Sequence, residues 1–256
     1  MTPKNIKLLI AYDGTNYSGW QRQKNGTTIQ GLLEKKIAVI THAQAVVNGA
    51  GRTDAGVHAE AMTANFHTDS RMTGQDFQRA LNSMLPTDIR ILEATETAPD
   101  FHARFNATAK TYRYDFFCGP IQPPTERLYS THVQYPFDMN KVLPCLELLI
   151  GSHDFTSFEA SGSRDLSRSG GRGAVRILFT AEGHVDSSRS RQYSFRFTGD
   201  GFLRHMVRNL VGTLFLVGSG RMDLKAFRSV LHKKNRDLAG PTAPACGLFL
   251  EQVHYE

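Results

Sequence analysis

Apolar positions in the N-terminal part of the chain recur with two different spacings. The run LLIAY at residues 8–12 is short and almost wholly apolar, which is typical of a buried strand. Thr27 and Gln30 have the three-residue spacing of a capping box, which predicts that a helix begins there. The apolar face of that helix would consist of Ile29, Leu32, Leu33, Ile37 and Ile40.

The following segments continue this alternation of strands and helices. Strands are predicted near residues 45–48, 62–66 and 89–92, and a second helix is predicted over residues 77–85, where Pro86 ends it. The resulting order, β-α-β-β-α-β, is that of the split βαβ arrangement in ferredoxin-like folds. The pattern therefore predicts a complete α/β unit in the first half of the chain.

A second set of elements is predicted beyond it. FHARFNATAKTYRYDFF, residues 101–117, reads as one long strand, and a helix is predicted over residues 139–150. Pro144 lies inside that helix, where proline costs about 3 kcal/mol, so we expect a kink or a late helix start. The remaining elements are arginine-bearing strands near residues 175–179 and 193–197, helices over residues 203–217 and 223–234, and a closing strand over residues 247–253.

These elements predict two related α/β domains, residues 1–106 and residues 107–256, with a ligand cleft between their sheets. The N-terminus lacks the apolar run of a signal peptide, and no run of about 18 apolar residues occurs. We therefore expect a soluble cytoplasmic protein with no membrane partner. The three cysteines are too far apart for a metal site of the Cys-x-x-Cys type and are predicted to be core thiols.

The charge distribution points to a polyanionic partner. The net charge is +6, and positions 161–208 contain nine arginines, no lysine and four acidic residues. The arginines are Arg164, Arg168, Arg172, Arg176, Arg189, Arg191, Arg196, Arg204 and Arg208. Arginine grips phosphate through paired N–H groups, although a solvated surface would have the same composition.

Two segments carry candidate chemistry. GAGRTDAGVHAEA, residues 49–61, places Asp54 in a glycine-rich link, where an aspartate commonly caps a helix or closes a turn. In GFLRHMVRNLVGTLFLVG, Arg204 and Arg208 are four residues apart on the predicted helix, and Arg208 lies at the edge of its apolar stripe. A partly buried arginine needs a carboxylate partner, and Asp54 is a candidate. We expect His58 to begin a strand and to position the loop, and we expect no metal because no His or Cys cluster accompanies it.

Eight ordered segments resemble the tRNA pseudouridine synthase A family from end to end. They are AYDGTNYSGWQRQ, TTIQGLLE, AGRTDAGVHA, LNSMLPTDIRI, FHARFNATAKTYRY, HDFTSF, FLRHMVRNLVG and GLFLEQV. The resemblance implies an α+β fold in which two ferredoxin-like α/β units share a mostly antiparallel mixed sheet flanked by helices. Residues 159–174 depart from the family pattern, since they are longer and richer in glycine and serine than expected.

The resemblance also implies an activity and a set of site residues. The activity is isomerisation of uridine to pseudouridine at positions 38 to 40 of the tRNA anticodon stem-loop by a homodimer without a cofactor or metal. Asp54 corresponds to the catalytic aspartate, and Arg52 to a residue that helps to displace the target base. Tyr112 corresponds to the aromatic residue on the uracil, Arg208 to the ion-pair partner of Asp54, and Leu248 to an apolar wall of the pocket.

The chemistry of Asp54 stays open at this point. The carboxylate attacks the sugar at C1′, adds to uracil C6, or stabilises an oxocarbenium-like sugar while a proton leaves C2′. Two other functions are alternatives. A non-catalytic tRNA-binding protein would use the arginines alone. A nucleosidase would hydrolyse the glycosidic bond, but the motifs contain no second carboxylate to activate water.

Overall fold

The structure of this chain is a computed structural model that describes residues 3–162, 172–186 and 191–256. The chain divides into two compact units. The first comprises Met1–Thr108 together with Phe249–Glu256, and the second comprises Ala109–Leu248. The C-terminal strand therefore belongs mostly to the first unit.

Regular elements follow one another in this order within the described residues. They are β1 (Lys4–Tyr12), α1 (Ile29–Thr41), β2 (Asn48–Gly49), β3 (His58–Thr68), α2 (Gly74–Met84), β4 (Ile89–Thr97), β5 (Ala109–Cys118), β6 (Thr131–Val133), α3 (Met139–Glu147), β7 (Gly151–Asp154), β8 (Val175–Val185), β9 (Gln192–Gly199), α4 (Met206–Gly218), α5 (Leu224–Lys233) and β10 (Leu248–His254).

In the first unit, β1 is the central strand and pairs antiparallel with β3 on one side and with β4 on the other. The short β2 pairs antiparallel with β3, and β10 joins β3 in parallel with Phe249 opposite His58. Helix α2 packs along β4, and α1 packs beside α2. Alternate residues of β1, Ile6, Leu8 and Ile10, are fully buried, so one face of this sheet forms the core.

In the second unit, β9 lies between β5 and β8 and is antiparallel to both. Strand β7 pairs antiparallel with β8, and the short β6 runs parallel to β5. An aromatic cluster fills the core, where the Phe116 ring lies 5.0 Å from the rings of Phe137, Phe195 and Phe215. Helix α3 packs against α4, α5 and β8. Burial of these rings supplies much of the stabilisation of this unit.

The order β1-α1-β2-β3-α2-β4 confirms the β-α-β-β-α-β prediction, and the α+β class is also confirmed. The two arginine-bearing strands and the closing strand form at the predicted places. No helix within the described residues is long and apolar enough to cross a membrane. Of the atypical segment 159–174, residues 163–171 lie outside the described residues.

The predicted start of α1 is wrong by one capping residue. Thr28, not Thr27, is the N-cap, and its hydroxyl accepts a hydrogen bond from the Gly31 N–H. The Gln30 side chain does not close a capping box, because it bonds to the backbone of Val47 and Arg22 instead. The capping prediction required a local bond from the Gln30 side chain, but that side chain bonds to residues distant in sequence.

The helix predicted over residues 203–217 also begins later, at Met206. His205 precedes it with a left-handed backbone at φ 61°, which a helix cannot include. Arg204 therefore lies outside the helix and does not share a helical face with Arg208. Of the kink or late start expected for the helix that contains Pro144, the late start does not occur, since α3 begins at Met139 and holds Pro144 in its last turn.

The long strand predicted over residues 101–117 is shorter than expected. Strand β5 begins at Ala109, and residues 101–106 form a hydrogen-bonded turn instead. Asn106 helps to close this turn by accepting a hydrogen bond from the His102 N–H at 2.7 Å. Asparagine is well suited to such local bonds, and the alternation of FHARF hid that turn signal.

The cysteines should differ in reactivity. Cys118 and Cys145 are buried as predicted, but Cys246 is partly exposed, so the prediction of three core thiols is wrong for Cys246. Burial raises the pKa of the Cys118 thiol to about 12 and that of the Cys145 thiol to about 11. Iodoacetamide at pH 8 should therefore alkylate Cys246 first, because the thiolate is the nucleophile that displaces iodide from the reagent. Mass spectrometry reads the alkylated site. All three cysteines should react in guanidinium chloride. Alkylation of Cys118 before Cys246 in the native protein would contradict the buried position of Cys118.

Candidate active site

Asp54 lies in the loop between β2 and β3, and this loop is closed by its own backbone. The Asp54 carbonyl accepts a hydrogen bond from the Val57 N–H at 3.2 Å. Gly56 supplies the left-handed conformation at φ 77° that such a turn needs. At the other end of the loop, the Ala50 N–H donates to the Thr63 carbonyl of β3 at 2.8 Å. Both ends of the loop are thus tied to the first-unit sheet.

Two glycines let a neighbouring loop approach the backbone of this segment. A Cβ atom at Gly14 would lie 2.0 Å from the Val57 carbonyl oxygen, and one at Gly19 would lie 2.5 Å from the Thr53 carbonyl oxygen. The Trp20 N–H donates to that same Thr53 carbonyl at 3.1 Å. No side chain fits at positions 14 and 19, so the two loops stack backbone against backbone.

A buried hydroxyl pair fixes the residue before Asp54. The Tyr12 hydroxyl lies 2.8 Å from Thr53 Oγ1, and both residues are buried. Arg52 is exposed and Asp54 is half-buried, so Thr53 is the inward-facing residue between them. The structure therefore brings Arg52 and Asp54 together on the solvent side of an anchored loop.

His58 begins β3, which confirms its predicted place at the start of a strand. Its ring is buried, and Nδ1 lies 3.0 Å from the Gly14 amide nitrogen and 3.1 Å from Asp13 Oδ1. One face of the imidazole ring stacks on the Phe249 ring of β10, with centroids 4.7 Å apart. This histidine joins β3 to residues 13–14. Within the described part of the chain, no group of three or more His, Cys, Asp or Glu side chains could hold a metal ion.

A polar network on α1, which the sequence analysis missed, ties this helix to Gln21 and Arg22 and to Val47, the residue before β2. Gln30 donates to the Val47 carbonyl at 2.9 Å and accepts from the Arg22 N–H and from Gln21 Nε2, each at 2.8 Å. Glu34 accepts from the Val47 N–H at 3.2 Å and from Arg22 Nη1 at 2.8 Å. Both side chains are buried. The sequence did contain a signal for this network, because Gln30 and Glu34 are four residues apart and each follows a fully buried residue of α1, Ile29 and Leu33.

In the second unit, Tyr112 lies on β5 opposite Phe197 of β9. Its side chain is 7% exposed, and its ring meets Phe202 edge-on with centroids 5.0 Å apart and an interplanar angle of 76°. Edge-to-face packing restrains the ring about its χ angles. Tyr112 is therefore a restrained aromatic side chain and not a mobile surface residue.

Arg208 lies in the first turn of α4 and is tied to the segment 240–243. Its Nε donates to the Ala243 carbonyl at 2.7 Å, and the Ala243 N–H donates back to the Arg208 carbonyl at 3.1 Å. One turn later, a Cβ atom at Gly212 would lie 1.7 Å from the Pro241 carbonyl oxygen. The segment thus lies directly on the backbone of α4 and sets the plane of the guanidinium group.

Tyr114 joins this segment to β5. Its hydroxyl donates to the Pro244 carbonyl at 2.9 Å and lies 2.6 Å from Thr131 Oγ1. Burial raises the pKa of Tyr114, although the Thr131 hydrogen bond and the charge of Arg208 oppose this shift, so the hydroxyl stays protonated. Leu248 follows a short 3₁₀ turn at Ala245–Gly247 and is 5% exposed.

Asn209, next to Arg208, is fully buried and was also missed. Its Nδ2 donates to the Phe158 carbonyl at 2.8 Å, and its Oδ1 accepts from Thr242 Oγ1 at 2.6 Å and from Arg236 Nη2 at 3.0 Å. All of these partners are distant in sequence. Asn209 therefore fixes the start of α4 from the side opposite to solvent.

Some arginines of the segment 161–208 make contacts within this chain. Arg172 pairs with the Asp200 carboxylate, which also accepts from the Ile177 N–H at 3.0 Å. Arg176 donates to the carbonyls of Gly173 and Val175. Arg164, Arg168 and Arg189 lie outside the described residues. Arg172 and Arg176 thus already have hydrogen-bond partners within this chain.

Comparison with known proteins identifies the family. Residues 8–106 and 146–256 match the family model described as tRNA pseudouridine synthase. The chain belongs to this family, as its resemblance predicts.

Relatives match along almost the whole chain. A tRNA pseudouridine synthase A 1 from Desulfotalea psychrophila is 53% identical over 252 residues, which cover 98% of this chain and 100% of that protein. A tRNA pseudouridine synthase A from Limosilactobacillus fermentum is 42% identical over 98% of this chain and 95% of its own. Another from Streptococcus equi subsp. equi is 39% identical, and 98% of each chain is covered.

The contact of Gly212 with Pro241 makes a stability prediction. Helix propensity alone would make Gly212→Ala stabilising by about 1 kcal/mol. Because the added Cβ would overlap a backbone oxygen, we expect the free energy of unfolding to fall by about 2 kcal/mol or more. Urea denaturation of the two proteins measures this difference in the free energy of unfolding. Ala226→Gly, at an exposed position of α5, is the control for propensity and should lose only about 1 kcal/mol. A more stable Gly212→Ala protein would refute the close approach.

Proposed function

We propose that this protein isomerises uridine to pseudouridine in tRNA and that Asp54 is the catalytic carboxylate. The observation that carries this proposal is the setting of Asp54 in a chain of this family. It is half-buried on the solvent side of a loop whose backbone is held by β3, by the stretch from Gly14 to Trp20 and by the Tyr12–Thr53 pair. A reacting carboxylate needs this kind of preorganisation.

The reaction itself asks for few protein groups. The N1–C1′ bond of uridine breaks, the uracil turns, a C5–C1′ bond forms, and the proton on C5 is lost while N1 gains one. Atoms and electrons balance without water or a redox partner. Asp54 must be ionised in each of its three possible roles, as nucleophile at C1′, as nucleophile at C6, or as the anion beside an oxocarbenium-like sugar.

The substrate must change shape before it can react. A uridine at positions 38 to 40 of the anticodon stem-loop lies in or beside a stem, so it must leave the stack, which costs a few kcal/mol. We assign Arg52 to this step, because it is exposed two residues from Asp54 on the same loop. Its side chain would occupy the vacated place or hold the RNA backbone.

The family resemblance also assigns roles to three residues of the second unit. Tyr112 would stack on the extruded uracil, and its restrained ring suits that task. Arg208 would pair with Asp54, and the Ala243 carbonyl aligns its guanidinium group. Leu248 would form an apolar wall that keeps water from the reacting sugar. A homodimer that acts in the cytoplasm is part of the same proposal.

One assay separates this function from its two alternatives. Pseudouridine and uridine have the same mass, so tRNA incubated with the protein is treated with a carbodiimide that labels pseudouridine, and primer extension locates the label. Labels at positions 38 to 40 are expected. Binding without label would indicate a tRNA-binding protein, and released uracil would indicate a nucleosidase.

Asp54→Asn should preserve folding and tRNA affinity but lower the rate by more than about 10³-fold, because it keeps the shape and removes the negative charge. Single-turnover assays and filter binding measure the two quantities. Asp69→Asn, the same change at an exposed position of the first unit, is the control and should keep the parent rate. An Asp54→Asn rate within about tenfold of the parent is incompatible with the catalytic assignment.

Tyr112 can act through its ring or its hydroxyl, and two substitutions separate these roles. Stacking contributes about 1 to 3 kcal/mol per base, and a positioned general base contributes about 10²- to 10⁴-fold in rate. If the hydroxyl takes the C5 proton, Tyr112→Phe should keep tRNA affinity and lose at least about 10²-fold in single-turnover rate, whereas Tyr112→Ala should lose both.

The matched control for this experiment is Tyr193→Phe, which removes a phenol from the neighbouring strand β9 and should leave both quantities unchanged. The ordinary tyrosine pKa near 10 is the obstacle to a base role, because the proton must first leave. A Tyr112→Phe protein that turns over normally would limit Tyr112 to stacking.

A further inference from the structure

The turn at residues 101–106 is held in place by side chains from distant parts of the first unit. Ala103, at its centre, is fully buried. Its N–H donates to Asn65 Oδ1 on β3 at 2.9 Å, and its carbonyl accepts from the Tyr255 hydroxyl at 2.6 Å. Asn65 is itself fully buried and also donates to the Phe101 carbonyl at 3.2 Å. The base of the turn is therefore fixed by both β3 and the C-terminus.

The entry to the turn is fixed as well. The buried Asn5 side chain donates to the Ala98 carbonyl at 2.9 Å and to the Phe101 carbonyl at 2.8 Å. The Lys7 ammonium group lies over the rings of Phe101 and Tyr255, at 5.5 Å and 5.0 Å from their centroids. These contacts leave the chain little freedom before it reaches His102.

Local hydrogen bonds complete the turn. The His102 carbonyl accepts from the N–H groups of Phe105 and Asn106, each at 3.1 Å. The Arg104 N–H donates to His102 Nδ1 at 3.1 Å, which orients the imidazole ring. This turn is thus specified both locally and by tertiary contacts.

What this rigid turn presents to solvent is an aromatic ring beside a cation. Phe105 is 77% exposed, its ring lies 4.2 Å from the His102 ring at an angle of 33°, and Arg104 is also exposed. A phenylalanine in this position gains almost nothing from burial within its own chain. The exposed residues Asn106 and Thr108, which follow it closely in the chain, are polar.

We propose that Phe105, with His102 and Arg104 beside it, is a stacking platform for an unstacked base of the RNA substrate. This inference rests on the proposed function. A flat ring with an arginine nearby suits a base and its phosphate, and stacking accepts any base. The single-stranded anticodon loop offers such bases without breaking a pair. Because the platform is already rigid, binding loses little conformational freedom.

The first test compares the affinity of variants for an anticodon stem-loop RNA at one fixed salt concentration. Phe105→Ala and Phe105→Leu should weaken binding between about 5- and 150-fold, since both remove the π face. Phe105→Trp should bind within about threefold of the parent. Ile121→Ala removes an equally exposed apolar side chain, 81% exposed, and should bind like the parent. If Phe105→Leu binds the RNA as tightly as the parent, the stacking platform is refuted.

A second test locates the base. Each loop nucleotide is replaced in turn by an abasic one, and affinities are measured with the parent and with Phe105→Ala. At one position the effects of the abasic site and the substitution should not add, because both remove the same stack. Additive effects at every position would refute the proposal. Sedimentation velocity measures the oligomeric state of the parent and of Phe105→Ala. If the variant loses RNA affinity only because its homodimer dissociates into monomers, the stacking platform is also refuted.

The outcome for the proposed function is read separately. Pseudouridine formation by the parent protein tests that function and does not involve Phe105. If the parent isomerises tRNA while Phe105→Ala binds normally, only the stacking platform is wrong. If the parent neither binds nor modifies tRNA, the proposed function itself fails.

Discussion

The direct contact of two backbones at Gly14 and Gly19 is the constraint on which the first-unit site depends. A methyl group would lie 2.0 Å from a carbonyl oxygen of the Asp54 loop at position 14 and 2.5 Å from another at position 19. The loop would therefore have to move by about 1 Å in the first case and by about half as much in the second. Displacements of about 1 Å reduce a reaction rate by roughly 10²-fold when the displaced group must meet a reacting atom. The precision of this loop therefore comes from the absence of two side chains as much as from the hydrogen bonds around it.

The second unit uses the same device at a different place. Gly212 lets the segment ending at Ala243 lie on α4, and the Ala243 carbonyl then orients Arg208. In both units a predicted site residue lies next to a buried residue whose side chain is hydrogen-bonded, Thr53 beside Asp54 and Asn209 beside Arg208. Each predicted site residue is thus positioned in part by a buried neighbour.

Periodicity predicts most of the elements because burial on one face leaves a regular pattern in the chain. It fails where a distant partner decides the local structure. FHARF alternates like a strand, but Ala103 is held in a turn by Asn65 and Tyr255, which are far away in sequence. The α1 capping box fails because Gln30 bonds to Val47, and α4 starts late because His205 adopts a left-handed backbone.

The same reason limits what could be inferred about the site. Asp54, Arg52, Tyr112, Arg208 and Leu248 were identified from motifs that resemble a family, and their roles remain predictions. The buried hydrogen bonds of Tyr12, Gln30, Glu34 and Asn209 were not predicted, because the role of a buried polar side chain is recognisable only once its partners are known.

The proposed reaction would require many residues that hold the site in position and few that take part in the chemistry. Isomerisation of uridine requires no water, no redox partner and, in each of its possible routes, one ionised carboxylate. What it does require is that a sugar carbon and a turning uracil be held against that carboxylate without access to solvent. The demand on the protein is therefore geometric, and geometry is supplied by backbone contacts and buried hydrogen bonds. The Asp54 loop, with its glycine contacts and the Tyr12–Thr53 pair, has the construction that such a demand selects.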